Sequence, residues 1–141
     1  MNIGLIDLKD PSHLVVDKTI AGGMGTATRY GAGIFENLLT RLKAQSIRLL
    51  PYNVAYTSAI LKAQGHSLSY HTNTHAPNYD LAVVFTSIPS HRVDVDFLKI
   101  LKAAGVPSVV TGTLAQVIPE RYHDGNVVLK GEAEAFFSGD W

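Results

Sequence analysis

The stretch Tyr79 to Phe137, YDLAVVFTSIPSHRVDVDFLKILKAAGVPSVVTGTLAQVIPERYHDGNVVLKGEAEAFF, decides the fold. Leu81 to Phe85 is a short apolar run without alternation, which suits a parallel strand covered on both faces. Val93, Phe97, Ile100, Leu101 and Ala104 then recur at helical spacing and predict one apolar stripe facing a sheet. Gly105 ends that helix, and Pro107 leads into a second apolar run, Ser108 to Val110, which closes on Thr111 and Gly112. A third run, Val127 to Leu129, ends before Gly131, and a further helix is expected after Glu132. Parallel strands joined through helices take right-handed crossovers, so the loops after these strands share one edge of the sheet. Ligands of open α/β sheets bind at that edge.

Upstream, Asn2 to Leu8 is a further strand candidate, stopped by Asp10 and Pro11. His13 to Ile20 reads as a short strand or an irregular loop. The segment Ala21 to Gly33 is rich in glycine but has neither Gly-x-Gly-x-x-Gly nor a Lys-Ser/Thr pair, so it lacks the dinucleotide and P-loop geometries. Ile34, Phe35, Leu38, Leu39 and Leu42 predict an amphipathic packing helix, followed by an extended connection over Ile47 to Leu50. Pro51 opens the next helix, Tyr52 to Gln64, on which Ala55, Ala59 and Ala63 share a face that allows close approach. Ser67 to His71 is the strand after it. Five strands interleaved with helices predict an α/β fold, a doubly wound, flavodoxin-like or Rossmann-like five-stranded parallel sheet in the order 2-1-3-4-5, with helices on both faces. The switch point falls between the first and third strands.

Composition bounds the function. At 141 residues the chain is one domain, residues 1–141, long enough to bury about two-thirds of its unfolded surface. Lys plus Arg and Asp plus Glu are 12 each, so no global field attracts nucleic acid or an anionic membrane. Neither a membrane-spanning run nor a secretory leader is readable, and a cytoplasmic protein is expected. The absence of cysteine removes disulfides, thiolate nucleophiles and Cys-held zinc or iron–sulfur sites. His71 and His75 lie in a polar loop with no third ligand near, so no metal site is expected.

The order of pieces from Tyr79 onward, an apolar strand, a Ser-containing loop, a helix, Ala104-Gly105-Val106-Pro107, a strand ending in a small residue and glycine, and the tetrad Gly131-Glu132-Ala133-Glu134, resembles the N-terminal cobalamin-binding domain of B12-dependent radical SAM enzymes. The resemblance implies a cobalamin-binding accessory module. It would lack catalysis of its own and hold the cofactor base-off at the carboxyl edge of the sheet. The tail-binding loops of the family, Ser-x-Leu and Gly-Gly, match Ser87, Ile88 and Pro89 and then Thr111 and Gly112, with Thr86, Thr113, Gly131 and Glu132 completing the implied site. Pro89 for Leu and Thr111 for Gly depart from that pattern. The Asp-x-His-x-x-Gly signature that places a histidine on cobalt is absent, Asp10-Pro-Ser-His13 being its nearest approach.

The resemblance stops before the segment that carries radical SAM cysteines, which implies a fragment of a longer enzyme. The iron–sulfur cluster and S-adenosylmethionine would belong to the missing barrel, in a parent enzyme such as a methyltransferase. Two other readings stand beside it: the same fold without cofactor, as a structural or substrate-capping module, and a receiver-like switch drawing on Asp7, Asp10, Asp80, Thr111 and Lys130.

Overall fold

The structure, a computed structural model, describes residues 1–10, 33–46 and 51–139. The expectations for His13 to Ile20, for Ala21 onward up to Gly33 and for Ile47 to Leu50 lie outside those residues. A five-stranded, wholly parallel sheet is built from β1 (Asn2–Ile6), β2 (Ser67–His71), β3 (Leu81–Phe85), β4 (Ser108–Thr111) and β5 (Val127–Val128), in the order β2-β1-β3-β4-β5. This is the doubly wound α/β arrangement expected from the sequence, and β1 lies beside both β2 and β3.

Each central strand is apolar on both sides because each side meets a separate core. Ile3 and Leu5 of β1 join Val83, Phe85 and Val109 against α2 (Tyr52–Ala63) and α5 (Ala133–Ser138). Ile6 and Leu8 join Ala82, Val84 and Val110 against α3 (His91–Ala103) and Tyr122. The chain closes α3 with the backbone N–H of Gly105 donating to Lys102 and that of Val106 to Leu101, at a left-handed Gly105 with φ +69°.

No helix joins β2 to β3 among the described residues. Residues 72–80 cross instead as a loop, and its side chains take the place of a helix on the sheet face. The ring of Tyr79 lies against Gly4 of β1, where any Cβ would overlap it. His71, His75, Tyr79 and Phe97 form one ring cluster, with His75 and Phe97 5.7 Å apart.

Several sequence expectations are corrected in detail. The buried stripe of α3 is Asp94, Phe97, Leu98 and Leu101, rotated from the expected one and leaving Ile100 exposed. On α2 the buried residues are Val54, Thr57 and Leu61, so the Ala55, Ala59 and Ala63 face is not the packed one. The apolar stripe of α1 (Ile34–Ser46) is exposed, from 92% at Ile34 to 48% at Leu39, and Thr40 is buried in its stead. A five-residue helix, α4 (Thr113–Val117), follows β4 where the sequence predicts only a loop.

Candidate functional site

The carboxyl ends of β1, β3 and β4 frame a cleft of about 250 Å³ at the switch point of the sheet. Asp7 follows β1, Phe85 to Ser87 close β3, and Gly112 and Thr113 pass from β4 into α4; Tyr52 and Asn53 enter from the first turn of α2, and Glu132 stands before α5. The cleft therefore gathers Thr86, Ser87, Gly112, Thr113 and Glu132 from the expected cofactor site.

The other three residues of that set lie elsewhere. Ile88 points outward and is 68% exposed. Thr111 is buried, its hydroxyl 3.5 Å from the carbonyl of Gly131, so its bulk fills the space under α5 instead of the cleft. Gly131 borders a separate apolar groove with Leu129, Lys130, Ala135 and Phe136, which meets the cleft only at Glu132. Of the receiver-type residues, Asp80 sits at the opposite edge, where its carboxylate accepts from the backbone N–H of Asn2 at 2.7 Å, while Lys130 is exposed.

The glycine at 112 has a structural cause. Its φ is +109°, and a Cβ would run into the backbone carbonyl of Thr86. Thr86 fastens the same junction twice over, its N–H donating to the Thr111 carbonyl at 2.7 Å and its hydroxyl at 2.9 Å. The β3 and β4 loops are thus locked side by side, and the floor of the cleft is rigid.

Beneath Ser87 runs a buried polar chain that the sequence did not reveal. The Ser87 and Ser90 hydroxyls are 3.0 Å apart, and Ser90 donates to the carboxylate of Asp94 at 2.6 Å. Asp94 is wholly buried on α3, beside Tyr122, whose hydroxyl stands 3.0 Å from Nδ1 of His91. Burial, with the Asp94 charge next in weight, pushes the Tyr122 phenol up to about 12. The signal available in the sequence was Ser90 four residues before Asp94, which places both on one helical face.

Two carboxylates line the cleft. Asp7 accepts a 2.8 Å hydrogen bond from the Tyr70 hydroxyl, and Oε1 of Glu132 accepts from the Gln116 amide at 3.1 Å. Asn53, also in the lining, accepts at its Oδ1 from the backbone N–H of Val54. Among the described residues no three His, Cys, Asp or Glu side chains converge as a metal site, and no helix is long and apolar enough to cross a membrane.

The cleft falls just below the roughly 300–1,000 Å³ of sites that engulf a small molecule. Ser87, Gly112 and Thr113 leave small or backbone surfaces in its lining. Compared with known proteins, the sequence matches no protein-family model and no curated protein.

Proposed function

We propose that the chain is a cofactor-binding module that holds cobalamin base-off at the carboxyl edge of its sheet and serves a radical SAM barrel. The cleft at the switch point carries this reading, because its rigid, small-residue floor suits the slender nucleotide end of a cofactor too large to enter whole. Ser87 and the Gly112–Thr113 turn would flank that end, with Thr86 below it and Glu132 at the rim. Bound cobalamin would supply a cobalt able to carry a methyl group. The protein's own part is to grip one end, to orient the ring system outside it and to keep water from the floor through Phe85. The iron–sulfur cluster and S-adenosylmethionine would reside in the partner barrel.

Titration with hydroxocobalamin, followed by its visible spectrum, tests the proposal. Base-off absorbance that grows with protein and is lost in Ser87→Leu is the expected result. Absence of binding at high-micromolar cofactor would favour a second reading, a structural or substrate-capping module of the same fold. One observation speaks for that alternative: the hydroxyl protons of Thr86, Ser87 and Ser90 are already donated within the chain.

A further inference from the structure

The hydroxyl chain beneath the cleft has a fixed direction. A hydroxyl donates one proton and accepts with two lone pairs. Ser90 stands 2.6 Å from the Asp94 carboxylate, within the 2.5–2.7 Å range of O–H···O⁻ bonds, whereas its alternative acceptor, the Ser87 carbonyl, is 3.4 Å away. Its single proton therefore goes to Asp94. The 3.0 Å contact between the two serines then needs the proton of Ser87, which leaves Ser87 facing the cleft with lone pairs only. The Thr86 hydroxyl likewise donates away from the cleft, to the Thr111 carbonyl. Glu132 adds a carboxylate at the rim.

From this proton count we infer that the ligand group seated against Ser87 bears N–H or O–H donors, as a primary carboxamide or a sugar hydroxyl does, and is not a phosphate. The inference rests on the reading of the cleft as the ligand site. It adds a selection rule set by Asp94, a residue that does not line the cleft and acts by positioning the serine protons. A carboxamide meets this rule with its N–H₂ donating to Ser87. For cobalamin, the rule directs an amide arm or the ribose, and not the tail phosphate, toward Ser87.

Three small probes, propionamide, methyl riboside and inorganic phosphate, test the rule by amide NMR titration of the chain. Propionamide or the riboside is expected to move the Ser87, Gly112 and Thr113 resonances, the responding probe telling a carboxamide from a sugar, while phosphate leaves them in place. Ser87→Ala should weaken the responding probe about tenfold. Ser90→Ala, which frees the Ser87 proton, should bring on a phosphate response. Phosphate binding at these resonances in the unaltered chain, silence from both donor probes, or unchanged affinity in Ser87→Ala would overturn the rule. Failure of cobalamin to bind while propionamide does would remove the cobalamin reading and leave the rule intact. Cobalamin that binds but is displaced by phosphate would do the reverse.

Discussion

The imidazoles of His71 and His75 stack with their centroids 3.9 Å apart, closing the sheet face that the β2–β3 loop covers without a helix. Burial, and then the neighbouring His75, hold the His71 pKa below its ordinary value of 6.5. Nε2 of His75 is itself buried without a hydrogen-bond partner.

An acid-labile loop follows from this pair. The folded state favours neutral His71, so the unfolded chain binds the proton first, and stability present above pH 6.5 falls as pH drops through the lowered value. Urea unfolding from pH 7.5 down to 5 should show a declining midpoint. His75→Phe keeps a flat ring on Phe97 and removes the second charge, and should flatten the decline; an unchanged slope would count against the pair as its source.

Gly112→Ala should lower the melting temperature more than Gly125→Ala. The first change costs about 1–3 kcal/mol for its backbone conformation alone and also meets the Thr86 backbone, which cannot move aside. Gly125 is half-buried, and a Cβ there meets a methyl of the buried Val110 and the Tyr122 carbonyl, but its backbone lies outside the left-handed region, so that change carries the crowding without the conformational strain. Equal losses by differential scanning calorimetry would contradict this account of the β3–β4 junction.

Ser90→Ala should destabilise by about 1.5–3 kcal/mol, because the wholly buried Asp94 loses a charge-assisted partner. Ser87→Ala, which removes only the outer link of the chain, should cost about 1 kcal/mol. Chemical denaturation of the two variants compares them directly, and the reverse ranking would show that Asp94 does not anchor the chain.

Alkaline titration provides a fourth check. Burial pushes both Tyr79 and Tyr122 up to about 12, so these two phenols should ionise well above the ordinary tyrosine value of about 10. Since the folded values lie above the unfolded value of about 10, the stability that these groups contribute below pH 10 is lost as pH rises toward 12. The late phase in tyrosinate absorbance should shrink in Tyr79→Phe and again in Tyr122→Phe; a single phase near 10 would refute the burial of both.

The sheet was legible in the sequence because its strands are buried on both sides, and unbroken apolar runs such as Leu81 to Phe85 carry that signal directly. The helix faces were less legible. Asp94 breaks the hydrophobic period of α3, and nothing in the sequence distinguishes a buried, hydrogen-bonded aspartate from a solvated one. The stripe of α1 has the right period, yet period alone does not tell a helix what it will meet. At the cleft, loop positions just past β3 and β4 were readable from strand ends. Asn53 and Glu132 arrive there from separate helices, and Thr111 turns away because successive side chains at a strand end face opposite sides.

β1 is an interior strand of the sheet, with Ile3 paired to both Leu68 and Leu81. During synthesis β1 is made before either strand it pairs with: one flank has no partner until β2 is complete, and the other waits for β3. An apolar strand must therefore wait with both hydrogen-bonding edges open while the chain through residue 71 is made, the interval in which unpaired edges attract other chains. The interior position that carries Asp7 to the cleft thus makes β1 a part of the nascent protein with much to gain from a chaperone.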